Sequence, residues 1–229
     1  MEIRSLMLKT SKLLEQKYFY QKRLGFSILD ETELYFTIQA GTSKLLFEKD
    51  LESNPKYHFA FNIPENKYLD AKKWLIERKI VIKKETFFAD WNASALYFND
   101  PQGNIVEFIA RHTLKNETHQ SFCNQNILNV SEIGIPIINV KDTYSLIAEK
   151  TKIPLWFGVN EKKVISNQFI TIGDEKGLLI LVACGRKWFP TDIEAQIYPM
   201  SIIIDQDFES FTIPNTPYKL GPRKTELPF

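Results

Sequence analysis

A single carboxylate, Glu107, interrupts the otherwise apolar strand that closes the segment ALYFNDPQGNIVEFIAR, Ala95 to Arg111. A charge in such surroundings needs a partner, because an ionised group is costly to bury alone. Asp100, Pro101 and Gly103 spell a tight turn: an Asp that can cap it, a Pro with preset φ, and a Gly at the fourth position. The segment therefore predicts a β-hairpin with Glu107 on its second strand. The two-residue period puts Ile105, Glu107 and Ile109 on one face and Val106, Phe108 and Ala110 on the other. Both faces read as covered, so Glu107 looks into an internal cavity. Its natural counterpart is His58, one of 3 histidines in the chain. His58 opens the strand YHFAFNI, with His58, Ala60 and Asn62 on one side and Phe59, Phe61 and Ile63 on the other. An imidazole and a carboxylate are the donors that hold a divalent ion. Without an ion they can satisfy one another as a buried hydrogen-bonded pair, beside a metal-free ligand cavity or a packed interior.

These residues resemble the vicinal oxygen chelate superfamily, which includes glyoxalase I, extradiol ring-cleaving dioxygenases, and fosfomycin and bleomycin resistance proteins. The strings that carry the resemblance are HFAF, YFNDPQGNIVEF and, at the exit of the first helix, FYQKRLGF. The resemblance implies an α+β fold of tandem βαβββ modules forming two glyoxalase/bleomycin-resistance-like domains, the second degenerate. It implies His58 and Glu107 as ligands of one divalent metal, with Fe, Mn or Zn as the ions such donors suit. By repeat alignment, Ser5 falls at the opening-strand ligand position of the first unit, where metal-dependent members carry histidine. The last-strand position of that unit falls near Leu46, with Glu48 two residues on. The implied function is a small-molecule enzyme of the glyoxalase or extradiol dioxygenase type, using the ion to polarise vicinal substrate oxygens. The other reading is a metal-free protein of the same fold that sequesters a small molecule, as resistance-type members do.

The elements that must position these residues recur along the chain, and such repeats bear on fold before any motif does. The first unit reads as a strand from Ile3 to Lys9, a helix over 12–24 with Leu13, Leu14, Tyr18 and Phe19 inward, then strands near 27–30, 34–39 and 44–48. The second opens at His58, runs a helix from Pro64 to about Arg78, and continues through strands near 81–87, 95–99 and 104–111. The third has a strand over 130–137, a helix over 141–150, and strands near 155–158, 168–172 and 177–182. A last opening strand near 196–205 is followed by a Pro-rich stretch without helical period. Residues 1–112 are expected to form one complete domain, 113–126 a polar linker and 127–229 the second, degenerate domain.

Further candidates surround this pair. Trp91 and Tyr97 belong to an aromatic cluster before the hairpin, in a chain that is 13% aromatic with 17 Phe, and they suit the wall of an apolar small-molecule pocket. Arg186 and Trp188, in GRKWFPT, combine a guanidinium with an indole that can clamp an anionic or aromatic ligand. Glu132 holds the position in the third unit that His58 holds in the second; no partner for it is visible in the sequence, and it reads as a surface or strand-start residue. His112 and His119 read as exposed. The 2 cysteines, Cys123 and Cys184, suggest no disulfide scaffold, zinc knuckle or redox pair.

Composition excludes several classes. With 229 residues, 44% hydrophobic and 25% charged, the balance is that of a globular protein. Lys plus Arg number 29 against 28 Asp plus Glu, which gives no attraction to nucleic acid or an anionic membrane. No apolar run approaches a membrane span and the N-terminal stretch lacks a signal-peptide core, so a cytoplasmic protein is expected. Walker A, dinucleotide and nucleophile-elbow patterns are missing, so no nucleotide cofactor is expected. The expected partner is a small-molecule ligand, with the protein a monomer or homodimer.

Overall fold

A computed structural model describes residues 1–158 and 167–224. The first unit comprises β1 (Ile3–Thr10), α1 (Leu13–Tyr18), β2 (Ile28–Glu31), β3 (Tyr35–Ala40) and β4 (Ser43–Lys49). The second comprises β5 (His58–Ile63), α2 (Tyr68–Glu77), β6 (Ile82–Phe88), β7 (Ala93–Asn99) and β8 (Ile105–Arg111). The third comprises β9 (Asn129–Ile137), α3 (Val140–Thr151), β10 (Phe169–Asp174) and β11 (Gly177–Ala183). Three more strands follow, β12 (Met200–Ile204), β13 (Phe211–Thr212) and β14 (Tyr218–Pro222), with no further α-helix among the described residues. This is the expected α+β arrangement of tandem modules with a reduced fourth unit.

The strands form two seven-stranded mixed sheets, ordered β13-β14-β12-β1-β4-β3-β2 and β10-β11-β9-β5-β8-β7-β6. Within a unit the opening strand runs parallel to the last, β1 beside β4 and β5 beside β8. Between units the opening strands pair antiparallel, β1 with β12 and β5 with β9. Each sheet therefore draws strands from both sides of the 113–126 segment. One face of each sheet enters a common core, where Leu6, Leu8, Leu45 and Phe47 of the first sheet join Phe59, Phe61, Val106 and Phe108 of the second. The opposite face of the second sheet carries His58, Ala60, Glu107 and Ile109, as the alternation requires.

The hairpin turn does more than reverse the chain. Asp100 Oδ1 accepts from the Gly103 and Asn104 amides at 3.1 and 3.0 Å, and its Oδ2 accepts from Asn104 Nδ2, Gln16 Nε2 and Tyr20 Oη at 2.7, 2.8 and 3.0 Å. Gly103 takes φ +89°, a conformation open to glycine at no steric cost. The two bonds from Gln16 and Tyr20 fasten the first helix to the hairpin that carries Glu107.

They also correct the expected helix face. Leu13 and Phe19 are buried, but Leu14 and Tyr18 are exposed, and Gln16 and Tyr20 turn inward instead. The helix passes into a π-helical turn over Phe19–Arg23, which brings Tyr20 to Asp100. The expected strand at 155–158 reduces to one bridge between Leu155 and Ile172, and the Pro-rich end supplies two strands, β13 and β14, that its composition did not announce.

Asp100→Ala leaves Gln16, Tyr20 and Asn104 with buried donors lacking an acceptor. It is expected to lower unfolding stability by at least about 2 kcal/mol in urea denaturation; a loss below about 0.5 kcal/mol, the range of ordinary surface changes, would refute the anchoring role.

Candidate metal centre and aromatic cavity

The register of the second sheet builds the site. In β5, Ala60 pairs with Glu107 of β8 on one side and with Glu132 of β9 on the other, and Glu107 pairs in turn with Tyr97 of β7. All four lie in one row, so their side chains rise from the same face. Ala60 ends at Cβ and leaves space between the flanking carboxylates. His58, two residues earlier, rises on that face too. The result is a group of His58, Glu107 and Glu132 in which one ligand atom of each lies within 4.8 Å of the others.

Every member is buried: His58 is 6% exposed, Glu107 1% and Glu132 1%. His58 Nδ1 lies 3.1 Å from the Ile105 carbonyl, which can only accept, so Nδ1 carries the proton and Nε2 keeps its lone pair. Nε2 stands 3.7 Å from Glu107 Oε2. A carbonyl fixing one ring nitrogen while the other faces the cluster is the support metal-binding histidines usually have. Burial pushes the imidazole down to about 4, against a smaller rise from the Ile105 bond, so His58 is neutral at pH 7.

The carboxylates move the other way. Burial first, and then the charge of Glu132, push Glu107 well above its ordinary value, with the Tyr97 hydroxyl and Arg111 opposing. Burial raises Glu132 as well, against the Arg111 guanidinium that pairs with it. Arg111 is fully buried, lies 5.4 Å from the ring centres of both Trp91 and Trp156, and leaves Nε and Nη1 without hydrogen-bond partners. One guanidinium serves two carboxylates, and Glu107 Oε1 is buried with no partner at all. A divalent cation would satisfy that oxygen and let both carboxyl groups ionise beside the single guanidinium, so the residues present fit one.

His58 and Glu132 open onto a cavity of about 280 Å³ lined also by Phe88, Trp91, Tyr97, Phe169, Arg186 and Trp188. The Trp188 ring lies 5.3 Å from that of His58 and fits against Gly134, where a Cβ would meet it at 2.2 Å. Among the residues named from sequence, His58 and Glu107 come together, and Trp91, Tyr97, Arg186 and Trp188 line the cavity. Ser5 does not join them: it sits in the first sheet opposite Lys44 and Ile203 and is no part of this lining. Glu48 pairs with Lys9 at 2.8 Å in that same sheet. Glu132, read as a surface residue, is instead at the centre, because β9 pairs antiparallel with β5 and delivers it beside Ala60. His112 is half-buried with Nε2 3.0 Å from Ser94 Oγ, and His119 is exposed.

Sequence reasoning also passed over Arg111, four residues beyond Glu107 and on the same strand face. Its signal was available, as a second charge in an apolar strand. That of Glu132 was weaker, since only knowledge of the β5–β9 seam supplies its partner.

Neither a protein-family model nor a curated protein matches the chain. Solved structures do. A candidate dioxygenase from Bacillus subtilis superposes with TM-score 0.59 at 14% identity, over 90% of this chain and 70% of that one. Lactoylglutathione lyase from Agrobacterium tumefaciens aligns with 47% of this chain and 91% of its own, at 20% identity and TM-score 0.43. The similarity over 90% of this chain shows that the two share a fold.

A carboxyl group whose folded value is raised holds its proton more tightly in the folded state, so stability is greatest below the unfolded value and falls as pH rises toward the folded one. His58, lowered to about 4 from 6.5, acts oppositely, losing stability as pH falls below 6.5. Native protein and Glu107→Gln share the His58 effect, so their difference isolates Glu107. The melting temperature of chelator-treated native protein, taken relative to that of Glu107→Gln, should fall as pH rises above 4.5, the unfolded value. A difference that stays constant with pH removes Glu107 as its source.

Proposed function

We propose that His58, Glu107 and Glu132 hold one divalent ion at the floor of the aromatic cavity and that the protein is a metal-dependent enzyme acting on a small molecule with two neighbouring oxygens, of the glyoxalase or extradiol dioxygenase kind. The reading rests above all on the orphaned Glu107 Oε1 beside a neutral, pre-oriented imidazole. An imidazole with two carboxylates and open positions suits Fe(II), Mn(II) or Zn(II). When bound, such an ion supplies Lewis acidity to adjacent substrate oxygens.

The chain's own residues prepare the rest. Arg111 holds the Glu132 carboxylate in place, and the two indoles flanking Arg111 exclude water from that pair. The Ile105 carbonyl fixes the His58 tautomer. The rings of Tyr97 and Trp188, with centres 6.1 and 5.3 Å from that of His58, give the imidazole an aromatic surround. Ala60 keeps the space between the carboxylates open.

Arg111 also favours a second reading, since it already neutralises Glu132 and so lowers the demand for an ion. In that case the protein is a metal-free binder of the same small-molecule class.

Calorimetric titration of chelator-treated protein with Mn²⁺ or Zn²⁺ separates the two. The enzyme reading expects one ion per chain, with His58→Ala, Glu107→Ala and Glu132→Ala each losing more affinity than the roughly 10–100-fold typical of outer-shell partners. Ala60→Leu should abolish binding while the protein still melts cooperatively. Absence of uptake by the native protein, with ligand binding intact, leaves the sequestering reading.

A further inference from the structure

A cleft of about 400 Å³ separates the first turn of α3 from the β13–β14 turn and shares no residue with the aromatic cavity. Its origin is visible in the other half of the chain. Leu13 opens α1 and Val140 opens α3, each three residues past the end of its opening strand, so Thr10 corresponds to Ile137, Gln16 to Thr143 and Tyr20 to Ile147. Burial agrees, since Leu13, Tyr20, Val140 and Ile147 are all buried. The turns correspond as well. The Gly103 amide donates to the Asp100 carbonyl at 2.9 Å and the Thr216 amide to the Ile213 carbonyl at 3.2 Å, and β8 and β14 each leave their turn to run parallel to the opening strand of their own unit. Asp100 thus has Ile213 as its counterpart, and Gln102 has Asn215.

In the first half this joint is closed. Gln16 and Tyr20 donate to Asp100, and Gln102 accepts from the Thr10 hydroxyl at 2.8 Å. In the second half each of those partners has changed. The side chains of Ile137, Ile147 and Ile213 make no hydrogen bonds, and Thr143 and Asn215 are shorter than the glutamines whose places they take. Among the described residues no side-chain hydrogen bond joins α3 to the β13–β14 turn, and the cleft is the space that longer side chains fill in the first half.

The lining specifies a guest. Its apolar part is aliphatic, from Ile137, Ile138, Leu146 and Pro214, and Ile138 is left 79% exposed at the edge. Covering such surface is favourable. A cavity of roughly 150 Å³ takes a benzene molecule, so about 400 Å³ leaves room for a body of roughly six to ten carbons. The polar part is Asn139 and Asp142. Asn139 Oδ1 accepts from the Asp142 amide at 3.1 Å, and its Nδ2 donates to Asp142 Oδ2 at 2.6 Å. The carboxylate is thereby held in place while Oδ1 has no partner among the described residues. Asp142 is the one charged residue of the lining, and no Lys or Arg among the described residues pairs with it. The cleft therefore complements a positive charge on an aliphatic body.

We propose that the cleft between α3 and the β13–β14 turn binds a small organic cation, a primary ammonium on an aliphatic body, with the ammonium at Asp142 Oδ1 and the body against Ile138, Leu146 and Pro214. The assignment is independent of the metal-site reading, because the two sites have no residue in common.

The test titrates the full chain at neutral pH with hexylamine, hexan-1-ol and hexanoate, following assigned backbone amides by two-dimensional NMR. Shifts are expected over residues 138–146 and 214–216. Hexylammonium should bind about three- to fivefold more tightly than hexan-1-ol, the range an exposed ion pair supplies, and hexanoate more weakly than either. Asp142→Asn should bring hexylammonium to the affinity of hexan-1-ol and leave hexan-1-ol itself unchanged. Thr143→Gln, which returns the side chain that closes the joint in α1, should weaken hexylammonium and hexan-1-ol alike by at least about tenfold through loss of the space. Ile138→Ser, at a position too exposed to disturb folding, should weaken both by about threefold through loss of apolar contact. The cleft is overturned as the site if these amides do not move, or if Thr143→Gln and Ile138→Ser, both melting cooperatively, bind as the native protein does. Should Thr143→Gln fail to fold, Ile138→Ser alone decides. A native preference for hexan-1-ol or hexanoate, or a preference for hexylammonium that survives in Asp142→Asn, overturns the cation assignment.

Discussion

The buried ion pair between Arg111 and Glu132 is the constraint around which the second sheet is organised. It spans β8 and β9 across β5, joining strands from the second and third units. Both partners are fully withdrawn from water, so removing either would strand the other, a change that ordinarily costs more than the pair itself contributes. The guanidinium has too few hydrogen-bond partners, and the flanking faces of Trp91 and Trp156 make up part of the deficit. The turn that carries Trp91 and the segment that carries Trp156 are thus tied to the same charge. Burial, with that single charge serving two carboxyl groups, holds Glu107 well above its ordinary value.

The two sheets repeat one another closely, and they differ at this row of residues. Ala60 in the second sheet stands between Glu107 and Glu132; in the first sheet Met7 stands between Leu46 and Ser201. Ser5 is to Met7 as His58 is to Ala60. Each polar donor of the site has a counterpart that cannot do its work, and the small residue that leaves space is matched by a long one that fills it. Leu46, Ile203, Met7 and Tyr35 form a compact apolar cluster there. The first sheet keeps the architecture and packs the place of the site shut.

Much of this was legible in the residues. The period of two in HFAFNI and IVEFIA set the faces of β5 and β8, and the DPQG turn set the hairpin, because both are local properties of the chain. His58 and Glu107 stood out for the same reason, as polar groups in apolar strands. Glu132 and Arg111 were harder, since an ion pair between strands of different units depends on a seam that no local pattern encodes. The helix face was misjudged at Leu14 and Tyr18 because Gln16 and Tyr20 turn toward a buried carboxylate far along the chain. β13 and β14 were missed because their pairing is with β12 and with each other rather than with any helix-bearing unit.

The antiparallel seams β1–β12 and β5–β9 have a consequence for how the polypeptide can be divided. Cutting between β8 and β9 would expose the backbone edges of β1 and β5 on one fragment and those of β12 and β9 on the other. Such edges are templates for pairing with another chain. The fragments would therefore recover their sheets by complementing each other, and two intact chains that opened at this point would close again just as well by exchanging halves.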